Sequence, residues 1–496
     1  MANLTIYLNN NKAKIEGDMK VLRELRSSLG IKHPAAFFIR HKMPKGWDGK
    51  FYYLTDHGYF KSGLLRRVIN WLSDHKHTYK VKDLRNLGDT LKPKVPKELG
   101  GLKLRDYQYE AVSSIVEQKF NGIVFPVGVL NMATNAGKTL MMSAIYKSYK
   151  NRKALVLLND GDLYEQFKRE VPHLVGEENY GYVRGKEKVW NNFTVAMVQT
   201  LTENLSYYIH ELVKFDIVLV DEADLADNKT YKSVIQNCFN AFCRVGLSGT
   251  IYMNDRAKDK LTNMNLESFF GPETYRVSKK EMQQMGHSTK TVVKICDGNI
   301  LDERGFLSYP EAYEKLIVKN KARYEQIYKR LLFNMGYDRL PAMVICQFKP
   351  HTEKVCKYLK EKFPKLRVEY AHSGLKDKHR RVIMEDFRLG KIDILVSSYI
   401  VRRGKNLPLT RYILNASGSD SNATISQIMG RGERVHEGKS KMYIDDLYDL
   451  GKYINRHSNH RINYYRKEGV KVILLNNYGK TKKRNNKRGQ GRNSRN

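Results

Sequence analysis

The chain has 496 residues, 41% of them hydrophobic, which is material for about three domains of ordinary size. Its 88 Lys+Arg against 52 Asp+Glu give a formal charge of +36, an excess that calls for a polyanionic partner, nucleic acid before an acidic membrane. No run of about 18 apolar residues exists to span a bilayer, and the five cysteines (Cys238, Cys243, Cys296, Cys346, Cys356) form no Cys-x-x-Cys pair, which argues against a disulfide framework and a zinc ribbon.

Met1-Ala2-Asn3-Leu4 carries no basic-then-apolar signal, so a reducing cytoplasm is the expected location. Residues 1–92 read as a small α+β accessory domain for nucleic acid. Leu4, Ile6 and Leu8 alternate, Asn9-Asn10-Asn11 is a turn, and Ala13 and Ile15 alternate again, the pattern of a hairpin. Asp18 caps a helix carrying Leu22 and Leu25 that stops at Gly30. Strands are expected at 35–39 and 50–54 with Asp48-Gly49 as a turn between them. Leu64, Leu65, Val68, Ile69 and Leu72 then fall at helical spacing. The aromatics Phe37, Phe38, Phe51, Tyr52, Tyr53 and Trp71 are read first as core, with stacking on bases as the alternative. Lys92-Pro93-Lys94-Val95-Pro96 is a linker.

From 98 to 280 apolar strands alternate with helical segments, the pattern of a parallel α/β sheet. The strands are expected at 124–129, 154–158, 194–198, 217–220 and 244–247. A connecting region at 277–310 holds a charged helix and one strand, 291–295. A second lobe, 281–475, has strands at 342–346, 367–370, 394–397 and 412–414. The fold class is therefore α/β, with two tandem parallel-sheet lobes of ATPase type behind the small α+β domain. Residues 476–496 carry Lys480, Lys482, Lys483, Arg484, Lys487, Arg488, Arg492 and Arg495 with no acid, a basic disordered tail suited to phosphate contact.

Ala133-Thr134-Asn135-Ala136-Gly137-Lys138-Thr139 follows a strand and opens a helix, the context of a phosphate-binding loop, although Met132 stands where a glycine usually leads. Backbone N–H groups at the helix start face the phosphates, Lys138 reaches the β- and γ-phosphates, and Thr139 ligates Mg²⁺. Val218-Leu219-Val220 ends abruptly in Asp221-Glu222-Ala223-Asp224, so a buried strand delivers carboxylates to the sheet edge where α/β folds bind ligands. Asp221 holds Mg²⁺ through its water shell and Glu222 polarises the hydrolytic water. Downstream, Gln427, Arg431 and Arg434 are spaced four and three apart and share a helix face. The planar guanidinium groups of the two arginines suit the charge that builds on a transferred phosphoryl group. They lie in the other lobe from the phosphate loop, so hydrolysis is expected to require the lobes to close.

These motifs, in this order, make the chain resemble superfamily 2 helicases and translocases across residues 104–470, which implies two RecA-like lobes using ATP and Mg²⁺. In Leu104-Arg105-Asp106-Tyr107-Gln108 the resemblance makes Gln108 the adenine contact beside Arg105. It places nucleic-acid contacts at Gln166, which follows the segment 155–160, and at Gln199 and Thr200. It makes Ser248 and Thr250 the segment that couples hydrolysis to lobe movement, with Asp224 linked to it. In the second lobe Gln347, His372, Ser373, Ser397 and Ser398 become nucleic-acid contacts, and Gly404 and Asn406 nucleotide contacts. Asn135 departs from a common glycine, Asn159-Asp160 from Pro-Thr, and Asn406 from Asp. Gly46-Trp47-Asp48-Gly49-Lys50 and the segment 58–65 resemble the amino-terminal domain of phage recombination helicases of the UvsW kind, whose motor also resembles the RecG and XPB types. The resemblance implies a DNA-stimulated ATPase that remodels branched DNA, in a host's cytoplasm if viral; the oligomeric state is left open, with a monomer favoured. The alternatives are a helicase of RNA or RNA–DNA hybrids and a duplex translocase that does not separate strands.

Overall fold

A computed structural model of the chain describes residues 3–85, 87, 92–249, 257–299, 308–398, 407, 409–419, 429, 433, 436, 439, 441–451 and 453–475. The basic tail expected at 476–496 lies outside them. Contacts divide the chain into two units, residues 1–277 and residues from 278 onward. Within the described residues no helix is long and apolar enough to cross a membrane, and all five cysteines are buried thiols.

The first unit begins with the expected hairpin, β1 (Asn3–Leu8) and β2 (Lys12–Glu16), paired antiparallel with Ile6 opposite Ile15. Alternation puts Leu4, Ile6 and Leu8 in the core. Two strands not anticipated complete the sheet, β3 (Tyr59–Lys61) beside β2 and β4 (Thr78–Asp83) running parallel to β1. Both are short on apolar residues, which is why the pattern misses them. Asp18 caps the helix Met19–Ser28 by accepting from the Lys20 N–H at 2.7 Å. The helix Leu65–Asp74 buries Leu65, Val68, Ile69 and Leu72 against the sheet. This core runs on into Phe125, Val127 and Met264, so the small domain and the first lobe share one apolar cluster.

The strand expected at 35–39 is instead the short helix Ala36–Ile39. Its N–H groups bond locally, Ala36 to the His33 carbonyl at 3.0 Å and Ile39 to the Ala35 carbonyl at 3.1 Å, and no strand pairs with it. The reading of the nearby aromatics as core fails for Phe37, Phe38 and Phe51, while Tyr53 and Trp71 do pack against the apolar cluster. Phe37 and Phe38 are 88% and 74% exposed, Phe51 is exposed, and Tyr52, Tyr53 and Trp71 are only partly buried.

The first lobe is an eight-stranded sheet. Its strands are β5 (Val127–Met132), β6 (Ala154–Leu158), β7 (Tyr180–Arg184), β8 (Glu187–Val189), β9 (Phe193–Met197), β10 (Ile217–Asp221), β11 (Cys243–Ser248) and β12 (Glu273–Val277), in the order β8-β7-β9-β6-β10-β11-β5-β12. All neighbours are parallel except β7 and β8. Strands β5, β6, β9, β10 and β11 are buried at every position, as a parallel sheet covered on both faces requires. The strand expected at 124–129 starts three residues later. Pro126 has no N–H to offer a ladder, and Ile123–Val124 pairs with Lys119–Phe120 in a separate ribbon.

The second unit is a seven-stranded parallel sheet of β13 (Lys290–Asn299), β14 (Ala342–Ile345), β15 (Val368–Ala371), β16 (Ile394–Ser397), β17 (Tyr412–Asn415), β18 (Lys441–Asp449) and β19 (Lys471–Leu474), ordered β15-β16-β14-β17-β18-β13-β19. The strand assigned to a connecting region is thus an inner member of this sheet, paired with β18 and β19. Its far end is buttressed by charge. Arg461, fully buried on the helix Ile454–Lys467, pairs with Asp446 at 2.8 Å and donates to the Ser419 carbonyl at 2.6 Å, while the Tyr465 hydroxyl donates to Asp446 at 2.7 Å. Removing one partner from such a pair leaves the other charge unmatched in the interior, a loss of about 3–5 kcal/mol. Arg461→Met is therefore expected to lower the denaturant midpoint of the second unit, and an unchanged midpoint in equilibrium unfolding would show that the pair contributes nothing.

Candidate nucleotide site and nucleic-acid edge

The site grows from the carboxyl edge of the first sheet. Strand β5 ends at Met132, and residues 133–137 turn the chain into the helix Lys138–Lys147. Asn135 and Gly137 both have left-handed backbones, φ 71° and 82°. Asparagine is among the residues that tolerate that region best, so its place in the loop instead of the expected glycine has a physical account. Gly137 is constrained twice, because a Cβ there would lie 2.4 Å from Gln108 Nε2. The loop is braced from below: Gln108 Nε2 and the Tyr107 hydroxyl donate to the Ala136 carbonyl at 2.9 and 3.1 Å. Gln108 Oε1 accepts from the Arg105 N–H at 3.0 Å, and Arg105 itself donates to the Tyr107 hydroxyl at 3.2 Å. Gln108 is buried and engaged at both ends of its amide, so a base contact there has to replace one of these bonds.

Strand β10 brings Asp221 alongside. Lys138 Nζ lies 2.6 Å from Asp221 Oδ1, in a setting where Asp221 is buried and Lys138 half-buried. Burial alone would pull the ammonium down, but Asp221, with Glu222 and Asp224 behind it, outweighs burial and raises it, so Lys138 stays protonated at neutral pH. Glu222 has φ 52°, an uncommon conformation for its type, and its N–H donates to Asp221 Oδ1 at 2.9 Å. Asp224 Oδ1 accepts from the Ser248 hydroxyl at 2.7 Å, tying the end of β10 to the end of β11. A Cβ on Gly249 would sit 2.8 Å from the Met132 carbonyl, and one on Gly246 2.8 Å from the Ala223 Cβ. The segment after β11 therefore runs against the phosphate loop and the acidic string at once. Thr134, Asn135 and Thr139 are partly exposed on the loop, and Ala136 is buried.

The expected nucleic-acid contacts also stand at strand ends. In the first lobe Gln199 Nε2 donates to the Asn159 carbonyl at 3.1 Å, joining the segments after β6 and β9, and Thr200 accepts from the Gly185 N–H at 3.0 Å. Gln166 is paired locally with Glu170 at 3.0 Å on its own helix. In the second unit Gln347, His372, Ser373, Ser397 and Ser398 all follow or end the adjacent strands β14, β15 and β16. Ser373 is exposed and Gln347 partly so. His372 is buried between Glu353 at 2.7 Å and the Gly374 N–H at 3.0 Å. Ser397 is fully buried and donates to the Ala371 carbonyl at 3.1 Å, so it supports the edge rather than facing outward. Thr250, Gly404, Asn406, Gln427, Arg431 and Arg434 lie outside the described residues. A residue the motif reading passed over is Glu433. It is 1% exposed, its carboxylate accepts from the Thr291 hydroxyl at 2.7 Å, and its carbonyl accepts from the Thr289 N–H at 2.7 Å. Nothing in the local pattern singles out a buried carboxylate there, because its partner Thr291 lies 142 residues upstream.

Among the described residues no cluster of three His, Cys, Asp or Glu suits a metal ion. That is compatible with Mg²⁺, which binds through one or two carboxylates together with phosphates and water. The hard oxygens of Asp221 and Thr139, beside a positively charged loop, fit that demand.

A family model described as the res subunit of type III restriction enzymes matches residues 101–253, and one described as the helicase conserved C-terminal domain matches residues 323–436. The chain belongs to the superfamily 2 helicases, and with that come nucleic-acid binding and the use of ATP. Within the superfamily it is UvsW-like. It is 23% identical over 397 residues to the ATP-dependent DNA helicase uvsW of Enterobacteria phage T4, covering 74% of each chain. It is 24% identical over 363 residues to the putative ATP-dependent helicase IRC3 of Saccharomyces cerevisiae, an alignment spanning 69% of this chain but 51% of the yeast protein. The fold matches a fragment of a putative HsdR subunit of a type I restriction enzyme from Vibrio vulnificus YJ016 with a TM-score of 0.56 and 19% identity, over 86% of this chain and 75% of that one.

Lys138→Ala is expected to cut kcat for ATP hydrolysis by on the order of 10²–10³-fold, as loss of one preorganised charge contact does, while nucleic-acid binding persists. Undiminished phosphate release by this variant would remove the loop from the active site.

Proposed function

We propose that the chain is an ATP-driven DNA helicase that remodels branched DNA, such as four-way junctions, stalled forks and displacement loops, in recombination, repair and replication. The observation that carries the DNA-remodelling part is the surface of the amino-terminal domain. Phe37 and Phe38 stand 88% and 74% exposed among the exposed cations Lys32, Arg40, Lys42 and Lys45. Unpaired bases stack on such rings while lysine and arginine hold the backbone. The two-way coverage with a DNA helicase of a phage supports the same reading.

In the motor, Lys138 and the N–H groups at the start of its helix bind the phosphates of ATP. Thr139 and Asp221 would hold Mg²⁺, which supplies neutralisation of phosphate charge when bound. Glu222 orients the attacking water and takes its proton. Arg431 and Arg434 supply the further positive charge the phosphoryl transfer needs, with the neutral amide of Gln427 beside them as a hydrogen-bonding group. The Asp224–Ser248 bond transmits the state of the acidic string to the segment after β11.

Contacts to phosphate carry no sugar identity, so the motor alone does not choose DNA over RNA. The test is nucleic-acid-stimulated ATP hydrolysis with four-way DNA, linear duplex, single strands and RNA at one salt concentration, alongside strand displacement. The four-way junction is expected to give the highest turnover and to be unwound. Equal turnover on all, or a preference for RNA, would overturn the branched-DNA reading.

A further inference from the structure

A cavity of about 970 Å³ lies within the first unit, where the turn between β1 and β2 meets the first lobe. It is on the side away from the phosphate loop. Arg244, one of its lining residues, is the second residue of β11, whose other end carries Ser248. Four residues of strand separate those positions, roughly 13 Å.

The cavity is rich in positive charge that the protein neutralises only in part, at Arg85, which pairs with Asp83 at 2.7 Å. Lys12, Lys61, Arg85 and Arg244 line it. Lys12, Lys61 and Arg244 make no ion pair among the described residues. The one lining carboxylate, Asp216, is committed to Arg152 at 3.0 Å. Arg244 is 2% exposed and held only by neutral oxygens: the Asn10 carbonyl, Asn11 Oδ1 at 2.6 Å and the Ser62 hydroxyl at 2.7 Å. Its Nε has no hydrogen-bond partner, nor has NH1 of the neighbouring Arg85. Burial, and next Arg85, draws Arg244 down to about 10; burial, then Lys232 and Arg244, draws Lys61 down to about 7. A buried cation without a counter-charge is costly, and an anion in the cavity relieves that cost.

Two further groups narrow the anion. Asn10 Oδ1 is a buried acceptor without a donor, and Phe239, on the rim, is 52% exposed. A bare phosphate can donate an O–H to the first but has no flat face for the second, whereas a nucleotide has both donors and a base face. We propose that this cavity is a second nucleotide-binding site, distinct from the Lys138 loop, taking the phosphate of a nucleotide on Lys12 and Lys61 with its base against Phe239. The nucleotide comes either from free solution or from a nucleic-acid strand led past the amino-terminal domain.

The test uses the full chain carrying Lys138→Ala, so that the phosphate loop is disabled, with and without Lys12→Gln and Lys61→Gln, which alter one exposed and one partly exposed side chain. Binding of AMP and of a short single-stranded oligonucleotide is measured by calorimetry. Loss of the two charges is expected to weaken one probe by about tenfold or more. A loss confined to AMP makes the site one for free nucleotide, and a loss confined to the oligonucleotide makes it a strand contact. A Phe239→Ala variant should weaken the same probe. Unchanged affinity for both probes in the lysine variants overturns the proposal, whatever the outcome for junction unwinding.

Discussion

The ion pair between Lys138 and Asp221 is the constraint on which the nucleotide site depends. Neither charge is stable alone at that depth, and each is the reason the other is tolerated. The pairing works because β5 and β10 are buried parallel strands with β11 between them, so the loops at their carboxyl ends meet at one edge. In the proposed mechanism a phosphate arriving at the loop would compete with Asp221 for the ammonium and leave the carboxylate free to face a cation. The same edge then links Asp224 to Ser248, so a change at the phosphates has a short bonded route to the end of β11.

Much of this was legible from residue order because buried parallel strands are long apolar runs with abrupt ends. The run 217–220 followed by two acids, and the helix opening at Lys138, could have few other meanings. What escaped the pattern was set by neighbours. Strands β3, β4, β8 and β12 are edge or half-exposed strands with little apolar content, and their pairing partners, not their composition, make them strands. The strand β13 was found but its sheet was not, since its partners β18 and β19 come more than 140 residues later. The segment around Phe37 has strand-like residues without a partner, and its backbone bonds locally instead.

Side-chain roles were legible in proportion to how local their chemistry is. Asn135 in place of glycine looked like a defect until its φ of 71° gave it a reason. Gln108 was assigned to the base, yet its amide also braces Ala136, a contact between residues 28 positions apart that no motif spells out. The fusion of the amino-terminal core with Phe125, Val127 and Met264 could not be read in advance either, because those residues belong to the lobe by sequence and to both by packing. The cationic cavity likewise draws its lining from both pieces, the turn between β1 and β2 on one side and the start of β11 on the other.

The most direct measurement of the central claim, that the acidic string drives strand movement through Ser248, is the number of ATP molecules hydrolysed per strand displaced by Ser248→Ala. The account predicts stimulated turnover close to that of the unaltered chain with displacement per ATP lower by about tenfold, the worth of one hydrogen bond to a charged group, and recovery in Ser248→Thr, which keeps the hydroxyl. Turnover and displacement falling in parallel, with no recovery in the threonine variant, would contradict it.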